Sequence, residues 1–192
     1  MINTKLDLYE YLYQDSLACN RDSIKAHGLR DDVWKCQRAM RYAEYYSNRA
    51  KNNAIYKLAA IVSRQRFARL SVKLGFTLPY KNIGKGFSIA HYGLLGINGN
   101  AIIGENCRVH EGVCIGATNG SEKAPRIGNN VFIGTGAKII GDVEIADDVA
   151  IGAGAVVVKS ITEPGTTWAG IPAKKVSDEN SHSNLSPLLK LD

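Results

Sequence analysis

The pattern of hydrophobic and polar positions changes character near residue 78. Before this point apolar residues recur at three- and four-residue intervals, the spacing of one face of a helix. The pattern predicts helices over residues 6–17, from residue 31 or 32 to about 45, and over residues 54–74. We expect the apolar stripe of the third helix to pack on neighbouring elements, with a membrane contact as the alternative because basic residues flank it. The stripe includes Ile55, Leu58, Ile61 and Val62.

The second half of the chain has a hydrophobic period of six. Apolar anchors lie at Ile127, Ile133, Ile139, Ile145, Ile151 and Val157. A small or β-branched residue follows the first five anchors after four positions, at Val131, Ala137, Val143, Val149 and Ala155. A period of six fits neither a helix nor a simple strand, but it fits a triangular solenoid in which each hexapeptide forms one side. We expect residue i to stack on residue i+18, so that Ile97 meets Ile115 and Ile133 meets Ile151.

These patterns predict an α+β chain with an α-helical N-terminal domain over residues 1–77. A parallel β-helix of hexapeptide repeats follows over residues 78–176, and a polar tail over residues 177–192. Residues 117–126 supply no anchor, although the period resumes at Ile127. This segment is either a loop with a function or a tolerated insertion.

Composition narrows the choice of partners. The chain has 192 residues, a net charge of +6 and 45% hydrophobic residues, which indicates a packed core and suits an anionic ligand. No aromatic and basic nucleic-acid signature is present, so no nucleic-acid partner is expected. The four cysteines have neither CxxC nor zinc-like spacing, and no metal is expected. Without a signal peptide or a transmembrane segment, the expected location is the cytoplasm.

Longer motifs carry a family resemblance. The runs IGKGFSIAHYGLLGINGNAIIGENCRVHEGVCIGATNG, IGNNVFIGTGAKIIGDVEIADDVAIGAGAVV and WAGIPAKKV resemble the serine acetyltransferase branch of the hexapeptide-repeat transferases. The helical N-terminus is similar to short members associated with surface polysaccharides. The resemblance implies a left-handed β-helix and a homotrimer, with dimers of trimers as a further possibility. It also implies that acetyl-CoA binds in a groove between adjacent solenoids.

The resemblance assigns the general base to His91, in the motif IAHYG. An alcohol needs a base to attack a thioester, and a neutral imidazole, with an ordinary pKa of about 6.5, supplies one near pH 7. His110 and Glu111 form a second candidate catalytic pair, or else a solvated pair on the solenoid face. Tyr92 and Asn98 are candidate acceptor-binding residues. His27 and His182 are weaker candidates, because one lies in a predicted turn and the other in the tail.

The resemblance places the cofactor on backbone groups at solenoid corners and on lysines near the last coil. Each lysine is equally well explained as a solvated charge. The predicted cofactor-binding residues are Gly134, Thr135, Gly136, Ala137, Ala153, Gly154, Lys159, Lys174 and Lys175.

The acceptor is predicted from departures from the family pattern. Ala90, Phe76 and Ala124 stand where serine acetyltransferases carry two acidic residues and a second histidine. We therefore expect a hydroxyl of a sugar or surface polysaccharide, with L-serine as the alternative and weak or no turnover of L-serine. A zinc carbonic anhydrase is disfavoured because it needs three histidines at fixed spacing, and a non-catalytic scaffold is disfavoured by His91.

Overall fold

A computed structural model describes residues 1–26, 28, 31–50, 53–118 and 120–191. Three helices open the chain, α1 Lys5–Ala18, α2 Asp32–Arg49 and α3 Ala54–Leu74. Thr4 begins α1 with a capping box, in which its side chain accepts from the Asp7 N–H and Asp7 accepts from the Thr4 N–H. The Asn53 side chain caps α3, and Gly75 ends it at a φ of 80°, a left-handed conformation that favours glycine.

Fourteen short strands follow. The first seven are β1 Phe76–Thr77, β2 Ser88–Ile89, β3 Leu95–Ile97, β4 Ile102–Ile103, β5 Arg108–Val109, β6 Cys114–Gly116 and β7 Arg126–Ile127. The others are β8 Phe132–Ile133, β9 Lys138–Ile140, β10 Glu144–Ile145, β11 Ala150–Ile151, β12 Val156–Val157, β13 Thr167–Ala169 and β14 Lys174–Ser177.

The strands form the three sides of a left-handed parallel β-helix, and the predicted fold class is confirmed. One side has the order β1-β3-β6-β9-β12, the second β10-β7-β4 and the third β14-β13-β11-β8-β5-β2. All pairs are parallel except β13 with β14. The predicted anchors are at most 3% exposed, and the predicted stacks of Ile97 on Ile115 and Ile133 on Ile151 are both present. The ladder begins at Phe76, two residues before the boundary predicted at residue 78.

The segment without an anchor adds one hexapeptide to its coil. Ile103 pairs with Ile127 and Ile115 pairs with Ile139, so that coil is 24 residues long rather than 18. The extra residues leave the side after β6 and return at Pro125, whose carbonyl accepts from the Ile102 N–H. The insertion therefore preserves the stacking of the sides while it lengthens one corner.

A buried polar network holds the helices against the first coil. Arg41 of α2 is 1% exposed and forms a bidentate ion pair with Asp15 of α1, with N···O distances of 2.7 and 3.0 Å. Its guanidinium also donates to the carbonyls of Ile83 and Gly84. The Phe87 N–H donates to Asp15. The network fixes the strand that leads to His91.

The exposure of α3 differs from the expectation. The helix buries Ala60, Ser63 and Phe67 against its neighbours, whereas Ile55 remains 78% and Leu58 63% exposed. The predicted packing of this stripe is therefore wrong within the chain. Small and polar residues make the close contact with α2.

The end of the chain returns to the helices. Ser186 donates to the Leu17 carbonyl at 2.6 Å, and Leu185 and Leu189 pack with Ala18 of α1. Phe132 of β8 packs against the same small cluster. Among the helices that the structure describes, none is long and apolar enough to cross a bilayer.

Candidate functional site

The predicted catalytic residues lie on one corner of the solenoid. The strands before this corner end in one buried column, formed by Ile89, Val109, Ile133 and Ile151. Because the strands are parallel and in register, residues at equal distances beyond their ends follow one another along the corner. Two residues beyond the strand ends stand His91, Glu111, Thr135 and Ala153, in successive coils. We call His91, His110, Glu111 and Thr135 the histidine corner.

The side chains of the histidine corner converge within one chain. The ligand atoms of His91, His110 and Glu111 all lie within 4.8 Å of one another. The two imidazole centroids are 5.7 Å apart with the rings nearly perpendicular. The Thr135 hydroxyl lies 3.1 Å from Glu111 Oε1, to which it donates, and 3.4 Å from His110 Nδ1. His91 is exposed and faces outward, whereas His110 is partly buried beside Phe132.

The charges at this corner differ between its members. Burial lowers the pKa of His110, and the nearby Arg108 guanidinium lowers it further, so the neutral imidazole is favoured. Hydrogen bonds from its own N–H and from Thr135 lower the pKa of Glu111. The corner therefore holds a carboxylate beside two imidazoles, an arrangement that can orient a base and stabilise the imidazolium it forms.

The later coils of the same corner carry small residues. Thr135, Ala153 and Gly154 are exposed. Gly136 and Gly154 have φ values of 73° and 68°, and a Cβ on either would meet open space. Glycine is thus required by the left-handed turn and also leaves the surface smooth. The predicted positions Gly134 and Ala137 are buried in the corner below this surface.

Two backbone donors face outward beside these small residues. Within the described part of the chain, the N–H groups of Thr135 and Ala153 donate to no backbone carbonyl. They stand in successive coils on the line that begins at His91 and Glu111. The corner thus offers donors and a surface suited to an extended polar chain whose end reaches the imidazoles.

The structure separates the other predicted residues. Tyr92 adjoins His91 and is 75% exposed. Asn98 lies at the next corner, after β3, and its side chain accepts from the Asn100 N–H. Lys159 and Lys174 are exposed, whereas Lys175 lies between Glu163 and Asp178 at 2.5 Å from each.

The two weaker histidine candidates do not join this corner. His182 contacts Asp148 at another corner, with an N···O distance of 2.8 Å. His27 lies outside the described residues.

Two cations near the site were missed by the sequence analysis. The Lys138 ammonium donates to the carbonyls of Gly112 and Gly136 at this corner. Arg108 precedes His110 by two residues and acts on its charge. Both side chains leave strand positions that the hexapeptide pattern treats as outward-facing, so a register between coils is needed to place them beside the histidines.

The positions used to predict the acceptor are apolar in the structure. Phe76 is 4% exposed and Ala124 7% exposed, and both belong to the main hydrophobic core. Ala90 stands one residue beyond β2, in the row that carries His110 in the next coil. The corner therefore takes its carboxylate from Glu111 in the next coil rather than from the residue before His91.

Comparison with known proteins supports the repeat assignment. The family model described as bacterial transferase hexapeptide (six repeats) matches residues 124–159. The serine acetyltransferase of Buchnera aphidicola is 31% identical over 176 residues, covering 88% of this chain and 64% of the relative. That of Staphylococcus epidermidis is 40% identical over 104 residues, covering 53% of this chain and 48% of the relative. The chain thus spans less than two thirds of the length of these curated relatives.

A solved structure shows the same fold. The crystal structure of a serine acetyltransferase in complex with coenzyme A from Brucella abortus has a TM-score of 0.70 and 24% identity. It covers 92% of this chain and 70% of that chain. The names of these relatives contradict the prediction of a saccharide acceptor, which is wrong, and favour the alternative. In sequence and fold, the chain is a serine acetyltransferase-like member of the hexapeptide-repeat acyltransferase superfamily.

Proposed function

We propose that this chain is an acetyl-CoA-dependent O-acetyltransferase that transfers acetyl to the hydroxyl of L-serine. The observation that carries the proposal is the histidine corner, in a chain that is similar over 88% of its length to a serine acetyltransferase. The absence of polar groups at Ala90, Phe76 and Ala124 argued against serine. Glu111 answers part of that argument, because it brings a carboxylate to the two imidazoles from the next coil.

In the proposed mechanism His91 is the general base. Its ring accepts the proton of the serine hydroxyl while the oxygen attacks the thioester carbonyl. Glu111 stabilises the imidazolium, and the tetrahedral intermediate then expels the CoA sulfur, which takes the proton back from His91. The products are O-acetylserine and CoA, and the side chain of His91 returns to its neutral state.

Acetyl-CoA fits the small-residue part of the same corner. The pantetheine chain would follow Gly136, Ala153 and Gly154 and would accept hydrogen bonds from the outward N–H groups of Thr135 and Ala153. The exposed Lys159 and Lys174 would meet the phosphates. Lys175 is already paired with two carboxylates, so we expect it to contribute least among the three.

We also propose a homotrimer in which two solenoids enclose each site. Tyr92 and Leu94 flank the histidine corner and are 75% and 80% exposed, and Val158 near the last coils is 50% exposed. An adjacent subunit would cover these side chains and supply the second wall of the groove.

The test is an acceptor panel with purified protein and acetyl-CoA. Release of CoA thiol is measured without acceptor, with L-serine, and with free sugars, nucleotide sugars and oligosaccharides. The proposal expects serine-dependent release and O-acetylserine in the mass spectrum. It fails if L-serine gives no more release than the acceptor-free reaction.

A further inference from the structure

The histidine corner combines three donor groups of the kind that bind zinc. His91, His110 and Glu111 each offer one ligand atom, and these atoms lie within 4.8 Å of one another. All three come from one chain, although the sequence separates the first two by a whole coil. Imidazole nitrogen and carboxylate oxygen are ordinary ligands of Zn²⁺, and two histidines with one carboxylate form a known three-ligand set.

A separate observation points to a ligand at the same place. Glu111 Oε2 is buried and forms no hydrogen bond, although Oε1 accepts from Thr135. This oxygen lies 4.0 Å from His110 Nδ1. A buried carboxylate oxygen without a donor is costly, and a cation between it and the imidazoles would satisfy it.

The geometry requires only small adjustments. Ligand atoms at about 2.1 Å from a tetrahedral Zn²⁺ are separated by roughly 3.4 Å. The three donors must therefore approach one another by about 1 Å at most, which side-chain rotation provides. Exposed His91 is free to turn, while Thr135 holds the Glu111 carboxylate in place as an outer partner.

We propose that the histidine corner is a binding site for a divalent transition metal ion, Zn²⁺ above all, and that the bound ion inhibits acetyl transfer. The inhibitory part rests on the proposed function. A metal ion on His91 occupies the lone pair that would accept the serine proton, so the ion and the reaction compete for the same nitrogen. The positive charges of Arg108 and Lys138 near the corner weaken the binding, which suits a reversible inhibitor better than a resident ion.

The binding is tested without reference to activity. Tag-free protein, stripped of metal by a chelator, is titrated with Zn²⁺ in a calorimeter and with Co²⁺ as a spectroscopic probe. We expect one ion per chain and visible Co²⁺ absorption of a tetrahedral site. Each of His91→Ala, His110→Ala and Glu111→Gln should weaken binding at least about tenfold.

The matched control is His182→Ala. His182 also pairs with a carboxylate, Asp148, but stands at another corner with no second histidine within reach among the described residues. Its loss should leave the affinity unchanged. If wild type binds no more tightly than His110→Ala and Glu111→Gln, or if His182→Ala abolishes the binding, the metal site is refuted.

A second arm separates this proposal from the function. O-acetylserine formation is followed by mass spectrometry with increasing Zn²⁺ and after addition of excess chelator. We expect half-inhibition near the measured Kd and full recovery with chelator. Activation by the bound ion, or no effect at saturation, refutes the inhibition. Metal binding without acetyl transfer in the metal-free protein refutes the function alone, whereas acetyl transfer without metal binding refutes the metal site alone.

Discussion

Removal of the Arg41 side chain tests the network that ties the helices to the solenoid. Arg41→Met keeps a similar apolar length but deletes the guanidinium that pairs with Asp15 and donates to two backbone carbonyls. Asp15 is 0% exposed, so its carboxylate would keep only backbone donors. Loss of one partner from a buried pair costs about 3–5 kcal/mol, because the other charge stays buried. That is a large share of a typical stability of roughly 5–15 kcal/mol.

The assay is urea unfolding followed by circular dichroism at a fixed protein concentration. Arg21→Met is the control, because Arg21 pairs with Asp31 at 2.7 Å while its side chain remains 21% exposed. The control should lose at most about 1 kcal/mol. Arg41→Met/Asp15→Leu should recover a substantial part of the loss, since no charge remains buried. A loss below about 1 kcal/mol for Arg41→Met would refute the reasoning.

Three further substitutions test the column and the corner. Ile133→Ala removes a fully buried side chain between Val109 and Ile151 and should cost about 2–5 kcal/mol of unfolding free energy, whereas an equal stability to wild type would contradict the stacked core. Phe132→Ala exposes His110, so its pKa should rise towards the ordinary value in an NMR titration, and a further fall would contradict burial as the cause. His110→Ala should raise the KM for serine more than it lowers kcat if the residue orients the acceptor, and a loss confined to kcat would contradict that role.

The hexapeptide period predicts the core of the solenoid but not the composition of its corner. Alternation of anchors every six residues is enough to place Ile133 under Ile151, because both belong to coils of regular length. With a uniform step of 18, His91 would stack on Val109. The coil from Ile89 to Val109 has 20 residues, so His91 stacks on Glu111 instead. The next coil has 24 residues, which brings Thr135 to the same row.

These irregular coil lengths explain why the sequence gave no signal for the cluster of donors. The two extra residues near Gly93 and the six in the loop after β6 shift the register without changing the anchors. The base itself was predictable from its motif, since IAHYG needs no register to be recognised. Its partners depend on neighbouring coils and required coordinates.

The face of α3 failed for a different reason. Helical spacing shows that Ile55 and Leu58 share a stripe, but it does not show which stripe meets α2. Ala60 and Ser63 let the two backbones approach closely, and this contact turns the larger side chains outward. Hydrophobicity alone therefore selected the wrong side.

The rate of serine-dependent acetyl transfer by His91→Ala tests the central claim most directly. Wild type and variant are compared at saturating acetyl-CoA and L-serine, with CoA binding measured separately. We predict that kcat falls by roughly 10²–10⁴-fold, the contribution of a positioned general base, while CoA affinity and oligomeric state stay unchanged. A His91→Ala enzyme that acetylates L-serine within a few-fold of the wild-type rate would contradict the assignment of the base and of the histidine corner as the active site.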